Sequence, residues 1–361
     1  MNPDKKILFI VNGLGLGNST RCDSIIQPLV KRGYGIDVLT SGNGVQYFRQ
    51  CPYVSNIHEL RSLYYGSKNG KLSVWKTFLA VPDFFKIFIS NINFVKILIV
   101  QNKYRAVVID SDYTLLWLKR SLRIPIIALN NADVVIQECK KLPSLPKSIQ
   151  MQYLIEKCDS WFHQKVPHLV LSPALLPQND NGGPVRHFAP FIREGFQPRP
   201  LSLELKRILV MLSGSRFGSS TRFLEPLTHQ QNIRIDVIGR AGVSQGSILY
   251  HGKTFSNKHL IDEADMMVIN GGFSAVSEAV VLRKPVIVIP VENHAEQFIN
   301  VRTVEQAGLG LVATEKNAMD KIREMISYFP QFVQAHRQFN CRLDGAQEAA
   351  KAIDGLAGRR C

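Results

Sequence analysis

Apolar residues along this chain fall into short runs separated by longer segments of helical period. Between residues 7 and 172 the runs are rich in branched side chains, as in ILFIV, IDVLT, AVVID, PIIAL and HLVLS. Short apolar runs that alternate with helix-length segments are typical of a parallel sheet with crossover helices. The cycle restarts after residue 205 with RILVML, IRIDVIG, DMMVIN and PVIVIP. The pattern therefore predicts an α/β protein with two doubly wound parallel-sheet domains.

Turn-rich sequence separates the two cycles. The stretches LLPQNDNGGPVRHFAP and QPRPLS lie between them, and clustered Pro, Gly and Asn residues favour turns over regular elements. We therefore expect an N-terminal domain over residues 1–195 and a C-terminal domain over residues 203–330. The tail, residues 331–361, has a helical pattern and no strand, and we expect it to pack back across the junction.

Residues 72–105 combine aromatic side chains with lysines, as membrane-surface helices do. Asn91, Asn93 and Lys96 interrupt the apolar run, which excludes a transmembrane helix. Two interpretations stay open: residues 87–102 form the crossover helix before AVVID with an apolar face in the core, or the segment contacts a membrane or lipid. The residues concerned are Trp75, Phe78, Phe84, Phe85, Phe88 and Phe94 with Lys76, Lys86, Lys96 and Lys103.

The charge balance favours an anionic partner. The 44 Lys and Arg residues against 29 Asp and Glu give a net charge of +15, which suits nucleic acid, a phosphorylated small molecule or an acidic membrane surface. The basic residues are spread along the chain and no nucleic-acid motif with aromatic platforms occurs. We therefore expect no nucleic-acid partner.

The cysteines and the N-terminal sequence favour the cytoplasm. Six cysteines are scattered without a CxxC pair, so neither a zinc site nor a disulfide framework is predicted, and a reducing compartment fits best. Only five apolar residues precede Asn12, which is too few for the apolar segment of a signal peptide. We expect a cytoplasmic protein without a metal.

The first glycine loop, VNGLGLGNSTRC, does not match the NAD fingerprint. Gly13, Gly15 and Gly17 have the spacing GxGxG rather than GxGxxG, and the only acidic residue of the second strand, Asp37, lies inside that strand instead of at its end. Ribose recognition of the NAD kind is therefore poorly supported. A glycine loop before a helix offers backbone N–H groups to an anion or simply makes a tight turn, and both interpretations stay open.

A more specific constellation lies in residues 264–310. A strand ends at Asn270, the chain turns, and the next helix has free N–H groups that can hold a diphosphate. Glu278 lies in the first turns of that helix, where its two carboxylate oxygens can accept both hydroxyls of a ribose. The turn and the helix start consist of Gly271, Gly272, Ser274 and Ala275.

The following strand, PVIVIP, leads into ENHAEQFIN at its carboxyl end, where ligands bind in open α/β sheets. Glu296 and Gln297 there can hydrogen-bond sugar hydroxyls, and His294 is a further candidate for ligand contact. The constellation therefore predicts a site for a sugar linked to a nucleoside diphosphate.

The motifs GGFSAVSEA, KPVIVIP, HAEQFIN and EQAG resemble the nucleotide-sugar signature of GT-B glycosyltransferases. The resemblance is strongest to the family that includes the peptidoglycan N-acetylglucosaminyltransferase and the monogalactosyldiacylglycerol synthases. It implies a GT-B fold, with two Rossmann-like domains facing across a cleft. It also implies a UDP-sugar donor on the C-terminal domain, an acceptor on the N-terminal domain, and no metal or cofactor beyond the UDP-sugar co-substrate.

Weaker likenesses extend over most of the chain and imply further site residues. LVMLSGS is similar to a second glycine loop beside the diphosphate, HFAPFIREG to a segment with an arginine near the donor phosphates, and TFSNKHLIDEAD to the loop that recognises uracil. The opening loop is similar to one that lies by the acceptor and the donor phosphate. The residues so implied are Ser213, Gly214, Ser215, Arg193, Phe255 and Ser256, and in the opening loop Gly13, Gly15, Gly17 and Ser19.

This chain departs from the family at two positions. Many relatives have a histidine, a candidate base, where this chain has Asn18, and an Asn side chain cannot take a proton at neutral pH. Several also have a histidine where this chain has Asn270. The base is then a carboxylate, with Asp110 and Asp112 in VVIDSDY as candidates, or transferase activity is lost. The alternative roles are a helix N-cap for Asp112 and a loop hydrogen bond for Asp110.

Together these features predict an inverting, metal-independent transferase that moves a hexose-type sugar from a UDP-sugar to a hydroxyl acceptor. The positive charge and residues 72–105 favour a lipid-linked or membrane-presented acceptor, and a protein at most peripheral to an anionic membrane. Two alternatives stay open: a UDP-sugar hydrolase similar to that of pseudaminic acid synthesis, and a protein that binds a nucleotide sugar without chemistry.

Overall fold

The structure, a computed structural model, describes residues 5–61, 67–68, 71–72, 81–116, 118, 122–179, 182–212, 221–228 and 232–358. The chain divides into two compact units. The first unit comprises Met1–Val134, Lys157–Arg193 and Asp344–Cys361, and the second comprises Val135–Glu156 and Glu194–Leu343.

The first unit is built on a seven-stranded, entirely parallel sheet with the strand order β3-β2-β1-β6-β7-β8-β9. Every residue of β6, β7 and β8 is buried, as expected for parallel strands covered by helices on both faces. The strands are β1 Lys6–Val11, β2 Gly35–Thr40, β3 Asn56–Glu59, β6 Ala106–Asp110, β7 Ile126–Leu129, β8 Leu169–Pro173 and β9 Val185–Phe188, with a small antiparallel pair, β4 Ser67–Lys68 and β5 Lys71–Leu72.

Helices of the N-terminal half connect these strands. They are α1 Leu16–Lys31, α2 Asn43–Phe48, α3 Val81–Asn102, α4 Ala132–Lys140 and α5 Gln150–Lys165, with short 3-10 helices at Thr114–Leu116 and Lys147–Ile149.

The second unit is built on a six-stranded parallel sheet with the order β12-β11-β10-β13-β14-β15. Its strands are β10 Arg207–Met211, β11 Arg234–Ile238, β12 Ile248–Gly252, β13 Met266–Asn270, β14 Val286–Ile289 and β15 Gly310–Val312. The remaining helices are a 3-10 helix at Arg222–Leu227, α6 Lys258–Glu263, α7 Phe273–Val281, α8 Ala295–Gln306, α9 Ala318–Ser327, α10 Phe329–Gln338 and α11 Gly345–Ala357.

In each sheet, the first strand along the chain lies inside the sheet, and later strands pair on both of its sides. In the first sheet β1 lies between β2 and β6, and in the second β10 lies between β11 and β13. Ligands of doubly wound sheets bind beyond the carboxyl ends of the strands at such a switch point. The loops after β1 and β6, and those after β10 and β13, are therefore the places to look for a site.

The helix predicted over residues 87–102 lies within α3 and precedes β6. Val95, Leu98 and Ile99 of α3 pack in the core of the first unit, whereas Ile97 and Val100 are exposed. The helix therefore has a core face and an apolar exposed face. Trp75, Phe78 and Lys76 lie outside the described residues, as do the side chains of Phe84 and Phe85. Among the helices of the described part, none has the length and apolarity needed to cross a membrane.

The division into units departs from the predicted boundaries in two ways. Residues Val135–Glu156 group with the second unit although they precede residue 195, because Val135, Cys139 and Ile149 pack with Ala295 and Ile299 of α8. Helix α11 groups with the first unit. There its Asp354 accepts a hydrogen bond of 2.7 Å from the Tyr34 hydroxyl. The tail therefore contributes to both units, since residues 331–343 group with the second.

Candidate functional site

The glycine loop after β1 lies beside the end of β6. The Asn12 backbone N–H donates to the Asp110 carbonyl at 3.0 Å, and the Asn12 side chain donates to the Ser111 carbonyl at 3.2 Å. A Cβ added to Gly13 would come within 1.6 Å of the Ser41 carbonyl oxygen, so only glycine fits there. The predicted acceptor-side loop and the VVIDSDY motif are thus brought together at the switch point of the first sheet.

Helix α1 begins after this loop without a side-chain cap. Its N-cap residue is Gly15, which makes no side-chain hydrogen bond and is exposed, as is Gly17. Asn18 lies half-buried in the first turn, and Ser19 is fully buried with an Oγ that has no hydrogen-bond partner among the described residues. An uncapped helix start of this kind can receive an anion.

Asp110 does not fit the predicted role of base. Its carboxylate is fully buried and accepts two hydrogen bonds from Arg21, Nε to Oδ2 at 2.9 Å and Nη2 to Oδ1 at 2.5 Å. The Cys22 thiol donates to Oδ2 at 3.4 Å, and burial followed by the charge of Asp110 raises the pKa of that thiol. A carboxylate bonded on both oxygens and closed off from solvent cannot reach an acceptor hydroxyl. Asp110 instead ties α1 to β6.

Asp112 retains a free carboxylate oxygen. Its Oδ1 accepts hydrogen bonds from the Thr114 backbone N–H at 2.9 Å and from the Thr114 hydroxyl, at the start of the 3-10 helix. No hydrogen bond to Oδ2 occurs among the described residues. Burial raises the pKa of Asp112, although the Thr114 hydrogen bonds oppose this. Ser111, with φ of 51°, makes the left-handed turn between Asp110 and Asp112. Asp112 is therefore both a cap and a carboxylate of raised proton affinity.

A polar cluster near Asp112 was not predicted from the sequence. Asp159 on α5 accepts hydrogen bonds from the Tyr113 hydroxyl and the Asn130 amide, each at 2.5 Å, and lies 3.2 Å from Nδ1 of His163. Asn130 directly follows β7, so the cluster lies at the carboxyl ends of β6 and β7. The Asp159 and His163 spacing of four residues on a helix was the one available signal, and such spacing is common on solvated helix faces.

In the second unit, the loop after β13 is joined to the loop and helix after β14. The Asn270 amide donates to the Ile289 carbonyl at 2.9 Å, and the Asn300 amide donates to the Gly271 carbonyl at 2.9 Å. A Cβ on Gly271 would lie 3.0 Å from Cβ of Gln297, so the close approach of these segments favours glycine. The structure thus brings together the two motifs that the sequence assigned to the diphosphate and the sugar.

Helix α7 starts at this junction with Gly272 as a cap that lacks a side chain. Glu296 reaches across from α8, and its Oε1 accepts the Phe273 backbone N–H at 3.2 Å. Ser274 and Ala275 in the first turn are half-exposed. The remaining N–H groups of this turn and the positive end of the helix dipole suit a diphosphate.

Two side chains of α8 have polar atoms that make no hydrogen bond among the described residues. Gln297 uses Oε1 to accept the Val291 N–H at 2.8 Å, which orients its amide so that Nε2 is the remaining donor. Among the described residues neither Gln297 Nε2 nor Glu296 Oε2 has a hydrogen bond. His294 is the N-cap of α8, and its Nδ1 is buried without a hydrogen-bond partner in the described part of the chain.

Glu278 lies in the second turn of α7 and is 5% exposed. Phe255 and Ser256 follow β12 at the same edge of the sheet. The Phe255 ring is half-buried with Lys253 Nζ 5.1 Å from its centroid, and Ser256 is exposed. The predicted residues Ser213, Gly214 and Ser215 follow β10 but lie outside the described residues.

Arg193 belongs to the first unit and is buried. Burial and then Asp23 raise the pKa of Cys51 to about 11, and the charge of Arg193 lowers it. Arg193 therefore lies near Cys51, and its positive charge favours the thiolate form of that cysteine within the first unit. No group of three or more His, Cys, Asp or Glu side chains within the described ranges is placed to hold a metal ion.

Comparison with known proteins places these features among glycosyltransferases. The family model described as "Glycosyl transferase family 1" matches residues 5–177 and 187–330. An uncharacterized glycosyltransferase of Methanopyrus kandleri is 29% identical over 155 residues, 41% of this chain and 44% of that protein. The UDP-N-acetylglucosamine--N-acetylmuramyl-(pentapeptide) pyrophosphoryl-undecaprenol N-acetylglucosamine transferase of Clostridium botulinum is 23% identical over 341 residues, 88% of each chain.

Solved structures share the fold at low identity. The glycosyltransferase SsfS6 of Streptomyces sp. SF2575, also solved with thymidine diphosphate, has a TM-score of 0.61 at 14% identity, covering 97% of this chain and 99% of that one. MurG of Acinetobacter baumannii has a TM-score of 0.58 at 14% identity, with 98% of this chain and 100% of that chain covered. At this level of identity the likeness concerns the fold.

Proposed function

The chain belongs to glycosyl transferase family 1, and from that premise we propose that it transfers a hexose-type sugar from a UDP-sugar to a hydroxyl acceptor with inversion. It is a glycosyltransferase, and its fold is GT-B. The observation that carries the proposal is the junction of the loop after β13 with α8. There the Asn300 amide donates a hydrogen bond to the Gly271 carbonyl, and the Glu296 carboxylate accepts one from the backbone N–H at the start of α7. This junction supports the proposal because it brings the start of α7 beside polar atoms of α8 that make no hydrogen bond among the described residues.

In our proposal, the UDP-sugar donor binds to the second unit. The diphosphate lies at the α7 N-terminus with Ser274 as an additional donor, the ribose hydroxyls donate to Glu278, and the sugar hydroxyls contact Glu296 Oε2 and Gln297 Nε2. Phe255 and Ser256 flank the uracil. Each contact uses a helix N–H group, a carboxylate oxygen or an amide hydrogen suited to the ligand group.

The chemistry is direct displacement at the anomeric carbon. Asp112 takes the proton of the acceptor hydroxyl as the acceptor oxygen bonds to the anomeric carbon, and the bond to the diphosphate oxygen breaks with its electron pair leaving on UDP. Fixed N–H dipoles at α7 stabilise the negative charge of the departing diphosphate. Asp112 suits the base because its pKa is raised by burial and its Oδ2 is unused among the described residues.

A lipid-linked or membrane-presented acceptor fits the exposed face of α3. Ile89, Ile97 and Val100 are exposed apolar side chains of this helix, and the neighbouring Lys86 and Lys96 are exposed too. Apolar side chains interspersed with lysines suit an anionic membrane surface. The named acceptor of the Clostridium botulinum relative is a pyrophosphoryl-undecaprenol compound, which is of the same class.

The donor site is tested by the Glu278→Ala substitution. We expect calorimetric affinity for UDP to fall at least tenfold, because the ribose hydroxyls lose their acceptor, which corresponds to about 1.4 kcal/mol or more. Glu305→Ala, an exposed glutamate near the end of α8, is the matched control and should leave affinity unchanged. Equal UDP affinity in wild type and Glu278→Ala would rule out the assigned role.

Hydrolysis of the UDP-sugar by water is the competing activity. Incubation with UDP-sugars alone distinguishes the two activities. We expect slow release of UDP without an acceptor. Fast release of equal amounts of UDP and free sugar would identify a hydrolase instead, and tight binding without turnover over a broad acceptor panel would identify a binding protein.

A further inference from the structure

A small cavity lies at the amino edge of the second sheet. Its volume is about 60 Å³, which is enough for a few water molecules or a small anion. Asp265 directly precedes β13, Lys284 lies two residues before β14, and both line the cavity. The proposed donor site lies beyond the carboxyl ends of the same strands. Because β13 has five residues and is roughly 16 Å long, the cavity is separate from that site.

Lys284 is a buried cation in the wall of this cavity. It is 7% exposed, and its Nζ donates to the backbone carbonyls of Asp262 at 3.1 Å and Ala264 at 2.5 Å, at the end of α6. An ammonium group has three N–H donors, and no described residue accepts the third. Burial lowers the pKa of Lys284 to about 8, although the charge of Asp265 opposes this. An anion in the cavity can supply the third acceptor and stabilise the ammonium.

Two exposed arginines, Arg199 and Arg283, line the same cavity. Neither guanidinium makes a hydrogen bond or an ion pair with another described residue. Arg283 follows Leu282, the C-cap of α7, and has a left-handed backbone with φ of 58°. Glycine is the usual residue at this position after a helix. The chain therefore has a long cationic side chain beside the cavity where the backbone favours glycine.

Most of the negative charge around the cavity is already paired. Asp262 Oδ2 lies 2.5 Å from Lys258 Nζ, and Glu263 pairs with Arg207. Asp265 Oδ2 accepts two backbone N–H groups at the start of β10, each at 2.9 Å. Among the described residues that line the cavity, Asp265 is thus the one carboxylate without a cationic partner. It faces three cations without an ion pair, so the unpaired charge of the cavity is positive.

We propose that this cavity binds a phosphate group, either as the free ion or as the end of a phosphomonoester. Lys284 donates to it from the buried wall, and Arg199 and Arg283 donate from the exposed side. An ammonium combined with guanidinium groups suits an anion with several acceptor oxygens and more than one negative charge. This second anion site goes beyond sugar transfer and does not depend on the proposed function.

The test is a calorimetric titration with inorganic phosphate, in chloride at constant ionic strength and with UDP at saturation. UDP occupies the proposed donor site, so we expect phosphate to bind elsewhere, at one site per chain. Arg283→Gly, which suits the left-handed backbone, and Arg199→Ala should each weaken binding about tenfold or more, because each removes a charged hydrogen bond. Arg323→Ala, at an exposed arginine of α9, is the matched control and should leave the affinity unchanged.

The arginine variants keep the test decisive, because they leave the hydrogen bonds of Lys284 to the end of α6 in place. Lys284→Met removes the buried cation and should also weaken binding, provided that thermal unfolding shows a folded protein. Unchanged phosphate affinity in folded Arg199→Ala and Arg283→Gly would overturn the proposal. An absence of phosphate binding to the wild type, or binding no tighter than that of chloride, would do the same.

Two further comparisons identify the ligand and separate the sites. Tighter binding of glycerol 3-phosphate than of inorganic phosphate would identify a phosphomonoester as the ligand, and the reverse order would identify the free ion. Phosphate binding that disappears when UDP is added would place the ion at the donor site and overturn the proposal. If the protein binds no UDP, the proposed function fails, but the comparison of the arginine variants still decides whether this cavity binds phosphate.

Discussion

Among single residues, Arg21 has the clearest structural role. It is 8% exposed, and its guanidinium forms a two-bond pair with the fully buried Asp110. The partners are 89 positions apart in the sequence, so the pair joins the first helix to the middle of the sheet. A buried charge that loses its partner is costly because neither water nor another charge compensates it.

Substituting Arg21 by Met should therefore destabilise the protein strongly. We expect the free energy of unfolding to fall by about 3–5 kcal/mol, measured by urea titration. The double substitution Arg21→Met with Asp110→Leu should recover most of that loss, because it leaves no unpaired charge. The exposed pair of Arg323 and Asp320 is the control: Arg323→Ala should change stability by less than about 1 kcal/mol. Additive losses in the double variant would contradict this account.

Residue roles could be predicted only where they depend on local sequence. Asp112 follows a strand, and capping by such a residue is a local property that the sequence suggested correctly. Asp110 was wrongly proposed as a base because its partner Arg21 is distant in sequence. Asp159 and His163 were missed because nothing in the pattern of α5 distinguishes its buried polar face from a solvated one.

Among the elements, the loop after β1 is constrained by close contact with the loop after β2. Gly13 faces the Ser41 carbonyl, whereas no atom lies within 4 Å of a Cβ built on Gly15. The Asn43 N–H donates to the Gly13 carbonyl at 3.0 Å, which holds the two loops together. Gly13 is thus required for packing, while Gly15 begins α1.

Gly13→Ala and Gly15→Ala should therefore differ. We expect Gly13→Ala to reduce the free energy of unfolding by about 1–3 kcal/mol, because the added methyl group forces the loops apart. Gly15→Ala, with φ of −118° and open space around it, should be close to neutral. Chemical denaturation of both variants measures the difference, and equal stabilities would show that the contact with Ser41 is unimportant.

The elements themselves followed the sequence closely. Strands that are buried on both faces correspond to unbroken apolar runs in the sequence. All the apolar runs identified in the sequence occur as strands of the two sheets. The joined loops after β13 and β14 were predictable because the carboxyl ends of neighbouring parallel strands meet at one edge. The grouping of residues 135–156 with the second unit was not, because packing between distant helices leaves no periodic signal.

For the molecule as a whole, we expect one buried histidine, His336, to contribute to the dependence of stability on acid pH. His336 on α10 is fully buried, and its Nε2 lies 2.9 Å from the Leu309 carbonyl oxygen before β15. Burial lowers the pKa of His336 to about 4, although the hydrogen bond to Leu309 opposes this. The ring is therefore neutral in the folded protein at pH values where the unfolded chain already binds a proton.

The free energy of unfolding should therefore fall as the pH falls from about 6.5 to about 4. Because the folded pKa is below the unfolded one, the unfolded state binds more protons in this window, and the loss approaches about 3 kcal/mol. His336→Leu should be less stable at neutral pH but should lose less stability across the window. Urea titrations at several pH values measure both slopes, and identical slopes would exclude His336 as a source of acid sensitivity.

The bond between Glu296 and the start of α7 also bears on how selective the molecule is. Because the Glu296 carboxylate accepts the Phe273 N–H, part of the positive potential at the start of α7 is neutralised before any ligand binds. Free phosphate, which offers nothing beyond charge, gains less from such a site than it would from a bare helix end. In the proposed donor site, we expect a ligand that also offers hydroxyl groups to the same glutamate to be favoured over abundant cellular anions such as phosphate, by electrostatics rather than by shape.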